Sequence, residues 1–187
     1  MGRRGRHNLE EEHFFFVTTT VVKFTPIFSN SLFCDILISN IKHYRERFKY
    51  KVLGYVIMPS HFHWIVQVNP EYGSISDIMR DIKKFTAWRI FDKLNEQKDT
   101  KLLNIFVAAA AGIGDQKKKL WMKRFDDEVI RDQKMFWIKL NYIHNNPVKA
   151  GLVLRPEEYK YSSASNYVNN DHSVLEVDTE YGGVNVY

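Results

Sequence analysis

One cysteine in 187 residues, Cys34, excludes an internal disulfide and any cysteine-rich zinc cluster. It lies among Leu32, Phe33, Ile36 and Leu37, where an inert, buried thiol is expected. No apolar run approaches the roughly 18–20 residues needed to span a bilayer. The start, MGRRGRHNLEEE, has arginines with no apolar segment behind them, so no leader is read there and a cytoplasmic protein without membrane contact is expected. There is no internal repeat, and no GxxxxGK[ST] loop to cradle nucleotide phosphates. Residues 171–187 contain no lysine or arginine, but they hold Asp171, Glu176, Asp178 and Glu180. The first 170 residues therefore carry all 27 basic residues and 18 of the 22 acidic ones, a net +9 against +5 for the whole chain. A basic body with an acidic tail points to a polyanionic partner, most commonly nucleic acid.

The composition that remains, 44% hydrophobic and 14% aromatic, fits one folded domain with a substantial core. Residues 1–12 read as a flexible basic arm with Arg3, Arg4 and Arg6, residues 13–150 as the functional domain, and residues 151–187 as a connector and acidic tail. HFFFVTTTVVK is β-branched and aromatic, a strand over residues 14–23. Leu32, Ile36, Ile41 and Tyr44 recur near helical spacing up to residue 47. Residues 51–57 and 61–68 read as two strands of an antiparallel hairpin turning at Pro59-Ser60. Ser74 or Ser76 can cap a long helix through residue 95, whose apolar stripe is Ile75, Ile78, Met79, Ile82, Phe85 and Ile90. LLNIFVAAAA reads as a short helix or a hinged segment. Residues 121–130 read as a fourth strand, and Asp132 caps a last helix that Pro147 stops near residue 145. The order β-α-β-β-α-β, followed by a helix, predicts an α+β, ferredoxin-like (split βαβ) antiparallel sheet with helices on one face. That architecture hosts unrelated functions, so function has to be argued from a site.

Two segments about eighty residues apart offer one. In MPSHFHWIVQV the side chains of a strand alternate, so His61 and His63 share a face while Phe62 enters the opposite layer. Two neutral imidazoles on one face can hold a divalent metal with a distant third ligand; they are equally polar residues of a solvated face. In DQKMFWIKLNYIHNN, at about 100° per residue, Phe136, Leu140 and Ile143 form the stripe that faces a sheet. Tyr142 flanks that stripe, with Asn146 one turn on and Lys139 at i−3. A hydroxyl and an amide oxygen thus project side by side, unless Tyr142 is an ordinary half-buried tyrosine and Asn146 the cap before proline. Asp126 and Asp127 compete with Asn146 for the third-ligand position.

HFH after Met58-Pro59-Ser60, together with YIHNNPVKAGLV followed by RPEEYKYSSA, resembles the single-tyrosine HUH transposases, in their REP-associated tyrosine transposase branch. The resemblance covers most of residues 13–167 and includes RFDDEVIRD. It implies a catalytic domain that cleaves and rejoins single-stranded DNA beside hairpins using Mg or Mn. His61 and His63 would be metal ligands, Tyr142 the nucleophile, and Asn146 would stand where larger relatives place a glutamine as third ligand. An amide oxygen is an acceptable hard donor for Mg. Attack by Tyr142 would give a 5′-phosphotyrosine link and a free 3′-hydroxyl, which rejoins strands without ATP. Larger relatives are dimers in which the tyrosine helix serves either subunit's site, so a monomer or a homodimer fits the resemblance.

Arg3, Arg4, Arg6, Lys83, Lys84, Lys117, Lys118, Lys119, Lys123, Arg124, Lys139 and Lys149 are candidate phosphate contacts. Trp64 or Trp88 could stack an unpaired base. Two other readings stay open. One is a non-catalytic, single-stranded nucleic-acid-binding module, which needs neither histidine. The other is a metal-dependent phosphodiesterase that uses water and leaves no adduct.

Overall fold

The computed structural model describes residues 13–180. Four strands, β1 (Phe14–Thr20), β2 (Lys51–Met58), β3 (His61–Gln67) and β4 (Asp126–Val129), form one antiparallel sheet in the order β2-β3-β1-β4. Helix α1 (Ser31–Phe48) joins β1 to β2, so β3 fills the slot between those two strands, which is the split βαβ topology expected. Helix α2 (Ile75–Glu96) and the short α3 (Thr100–Ala108) lead from β3 to β4. Both long helices begin where side chains satisfy free backbone N–H groups. Asn30 accepts from Leu32 N at the start of α1, and Ser74 and Asp77 form a capping box on α2.

Strand alternation divides the interior into two layers. Phe15, Val17, Phe62, Trp64 and Val66 turn toward α1 and α2 and form the larger core. Phe16, Val56, Met58 and Ile65 turn the other way, where α4 (Gln133–Lys149) covers them through Phe136, Leu140 and Ile143, with Tyr159 and Tyr167 packed beside it. The single-face helix layer therefore consists of α1 and α2, and the tyrosine helix lies on the opposite face, next to His63 of β3.

Three boundaries differ from the sequence reading. β1 ends at Thr20, three residues early, because Val22–Phe24 closes into a tight 3-10 turn. The fourth strand covers only Asp126–Val129; Trp121 meets the sheet through an isolated bridge to Val21. Pro147 does not stop α4, which runs to Lys149. Proline removes one N–H, but its fixed φ is helical, and Ala150 N still donates to Asn146 O before Gly151, at φ 68°, ends the run.

Residues beyond α4 fold back along the outer edge of β2. Ile57 N donates to Tyr161 O, Ser163 N to Tyr55 O and Asp178 N to Val52 O, while Tyr159 and Tyr167 hydroxyls donate to Ile57 O and Leu53 O. These bonds satisfy an edge that would otherwise be open to another strand. Two of the acids of residues 171–187 are engaged there, Glu176 with Arg45 and Asp178 with Lys51. The helix α5 (Ala164–Asn169) lies within this wrap. No helix among the described residues is long and apolar enough to cross a membrane.

The seat of α4 depends on Gly54. A Cβ at that position would lie 2.6 Å from Leu140 Cδ1. Gly54→Ala should therefore cost about 1–3 kcal/mol, the range for overpacking a filled core. Combining it with Leu140→Ala should cost less than the sum of the single changes, read as a coupling in urea unfolding midpoints. Additive losses would show that α4 is not seated on this contact.

Candidate active site

The site forms where α4 crosses the open ends of β3 and β1. His61 and His63 point toward α4 with ring centroids 4.9 Å apart. Across the sheet, Thr18 pairs with His63 and Thr20 with His61, and directly opposed residues share a face. Thr18 Oγ1 lies 2.8 Å from His63 Nδ1, and the Phe16 ring stacks on the His63 ring at 5.6 Å. Ser60 Oγ is 3.3 Å from His61 Nδ1.

From the helix side, the Tyr142 ring meets His63 edge-on at 5.3 Å and Phe16 at 6.1 Å. Tyr142 is 43% exposed, so only part of the residue is covered by these contacts. Lys139 Nζ sits 4.8 Å from the Phe16 ring centroid and pairs with Glu128. Asn146 follows Tyr142 by one helical turn on α4. Beyond it, Lys149 Nζ is 5.9 Å from the Tyr142 ring centroid.

Burial lowers the pKa of both imidazoles. Burial, then the neighbouring charges of His61 and Lys139, push His63 down to about 3. A neutral imidazole that uses Nδ1 for one hydrogen bond presents Nε2 as a donor to a metal. His63 Nε2 is buried without a hydrogen-bond partner, and so is Asn146 Nδ2. Because amide oxygen and nitrogen are interchangeable by a flip, the oxygen can take that second position. Orphaned buried polar atoms are costly in a finished interior, and two on facing elements suit a bound hard cation.

The two aspartates do not join this group. Asp126 pairs with Thr18 on the same face but two strands away from His63, about 9.6 Å by strand spacing. Asp127 pairs with Val17 and turns toward the opposite layer. Among the described residues, no three His, Cys, Asp or Glu side chains cluster as a metal set. His144 points away, its Nε2 2.8 Å from Ser163 Oγ.

The basic candidates divide by location. Lys139 and Lys149 flank Tyr142. Lys123 and Arg124 are exposed just before β4, and Lys83 reaches Met122 O at 3.3 Å beside them. Lys84, on α2 like Lys83, lies over the Trp88 ring at 4.6 Å. Arg3, Arg4 and Arg6 fall outside the described residues. Trp64 cannot stack a base: it is fully buried, because even-numbered residues of β3 face α1 and α2, and it packs edge-on against Tyr50. Trp88 is 52% exposed and sits with Lys84.

Sequence reasoning missed Phe16, Thr18 and Glu128. The alternation of FFFVTTT placed Phe16 and Thr18 on one face, but their contact with His63 depends on the β1–β3 register, which no local pattern encodes.

Comparison with known proteins agrees with this architecture. The family model for IS200-like transposases matches residues 13–107, just over half the chain, a span that includes both histidines and ends before Tyr142. Over 124 residues the chain is 28% identical to a Haemophilus influenzae protein named as a REP-associated tyrosine transposase, covering 63% of this chain and 61% of that one. It thus spans about three fifths of the curated relative's length. A REP-associated tyrosine transposase solved bound to a REP hairpin superposes with a TM-score of 0.66 at 19% identity, covering 100% of this chain and 94% of that chain. At that identity the likeness speaks for the fold. With the family model spanning both histidines, the chain belongs to the IS200-like transposase family.

Proposed function

We propose that this protein nicks single-stranded DNA beside a hairpin and transfers the strand through a 5′-phosphotyrosine link formed by Tyr142. The observation that carries this reading is the Tyr142 ring resting 5.3 Å from His63, with the tyrosine itself exposed and His61 beside His63. The hairpin preference takes support from the REP-hairpin complex of the structurally similar transposase.

Tyr142 Oη attacks the scissile phosphorus; the Oη–P bond forms, the bond from phosphorus to the upstream 3′-oxygen breaks, and that oxygen leaves as a hydroxyl carrying a proton. Reversal by a 3′-hydroxyl restores a phosphodiester and frees the tyrosine, so energy is conserved in the link. Lys149, near the Tyr142 ring, and Lys139, over Phe16, offer two cations for the phosphate. His61, His63 and Asn146 would hold Mg or Mn, which when bound polarises a phosphate oxygen and fixes its position. Thr18 and Phe16 hold the His63 ring in place by the Nδ1 contact and the stack.

The test is an oligonucleotide hairpin with a single-stranded flank, incubated with protein and Mn and resolved under denaturing conditions. A protein-sized adduct that keeps a 3′ label is expected, and chelator should abolish it. A 5′-labelled adduct would reverse the assigned polarity, and cleavage with no adduct at all would favour a water-using phosphodiesterase.

Lys83 offers a separate test of the phosphate-binding edge. Burial, with the nearby charge of Lys119 and against the opposing pull of Asp126, lowers it to about 8. Lys83→Met should weaken hairpin binding evenly across sequences and reduce the salt slope by about one. The charge is present below that value and is lost as pH rises through it. The difference between wild type and variant should therefore shrink above about pH 8. A gap that persists unchanged at pH 10 would remove Lys83 from the interface.

A further inference from the structure

Two consecutive residues without glycine's freedom, Lys23 and Phe24, adopt left-handed backbone at φ 54° and 51° just after β1. Side chains clash with the backbone in that region, so such pairs persist only where the surroundings over-determine them, and they concentrate at functional positions. Here the turn is pinned at several points. Phe24 N donates to Val21 O, Thr25 N and Thr25 Oγ1 to Val22 O, and Val22 N to Leu120 O. The residues around it are buried (Val21, Val22, Thr25, Ile27), yet Phe24 is 66% exposed, the most exposed aromatic among the described residues. The strain therefore holds a large apolar ring out in water.

Its location is the rim of the site. Thr20 pairs with His61, and Val21 N donates to Ser60 O, so the turn leaves the sheet at the His61 end of β3. On its other side Met122 N donates to Thr20 O, which brings the segment ending in exposed Lys123 and Arg124 alongside. Lys23 is itself exposed. A protruding aromatic among cations is the arrangement by which proteins take an unpaired base, the ring stacking and the charges following the backbone.

We propose that Phe24 is a specificity-determining stacking platform for an unpaired base in the single strand flanking the hairpin, holding that strand in register with His61 and Tyr142. The proposal rests on the single-stranded DNA reading above. The stack needs no particular base, so it selects for single-strandedness at that position.

The test places 2-aminopurine at successive positions of the flank and measures quenching and affinity for wild type, Phe24→Ala and Phe24→Trp, with the unflanked hairpin in parallel. Wild type should quench at one or two adjacent positions. Phe24→Ala should lose the quenching and bind the flanked hairpin roughly 5- to 150-fold more weakly, the range of one base–aromatic stack. Phe24→Trp should retain both, and the unflanked hairpin should bind all three alike. Equal affinities of wild type and Phe24→Ala for flanked DNA would overturn the platform and leave the nicking reading intact. Equal weakening on both DNAs would overturn the unpaired-base assignment. Failure of the wild type to bind either DNA would overturn both readings.

Discussion

Tyr142→Phe is expected to abolish the covalent protein–DNA adduct, by at least about a thousandfold, while leaving hairpin affinity within about twofold of wild type. The phenol is the sole proposed nucleophile, and loss of a nucleophile removes the covalent path instead of slowing it. Binding should survive because the ring itself is kept: phenylalanine preserves the edge contacts with His63 and Phe16, and the side chain is not part of the buried stripe of α4. The same chemistry tests which chain supplies the tyrosine. Tyr142 packs on the His63 of its own chain, so mixing Tyr142→Phe protein with His63→Ala protein should restore no adduct. Recovery in the mixture would mean that α4 can leave this position and complete a second copy's site.

Much of the fold was legible because its signals are local. The alternation of HFHWIVQ, the serine cap of α2, which falls to Ser74, and the 3.6-residue stripe of α4 each depend only on neighbours in sequence, and each appears where expected. The errors fell where a local rule met a tertiary one. Pro147 reads as a terminator, but it costs a single backbone bond, and its ring is buried on the sheet side of α4. Trp64 reads as a stacking surface, but its parity in β3 commits it to the core. The HFH pair and Tyr142 could be named as candidates, but their meeting depends on α4 lying across the face opposite α1 and α2. The resemblance put Asn146 in the third position with Asp126 and Asp127 as competitors; the sheet register sets Asp126 two strands away from His63.

His63→Ala should have an effect comparable to loss of the tyrosine, through a different step. His63 is buried and held neutral, with Nδ1 occupied by Thr18 and Nε2 left without a partner, so it is built to donate to something the chain does not itself provide. Removing it should lower Mn affinity, read by calorimetry on the protein without DNA, and adduct formation should fall with it. Thr18→Val tests the same centre one contact further out. It keeps the strand and the bulk but removes the oxygen that orients the ring, and such outer partners change metal affinity by about 10- to 100-fold. The expected order of Mn affinity is therefore wild type, Thr18→Val, then His63→Ala, with hairpin binding in the absence of metal nearly constant across the series. Asn146→Ala should fall near His63→Ala, and Asp126→Ala near wild type, because only the former removes a buried, unpartnered amide from the tyrosine helix. Asp126→Ala at the bottom of the series would move the third donor to β4 and require the sheet edge to close on the histidines. Unchanged Mn affinity in His63→Ala would leave the buried Nε2 without a role and reduce the site to its tyrosine.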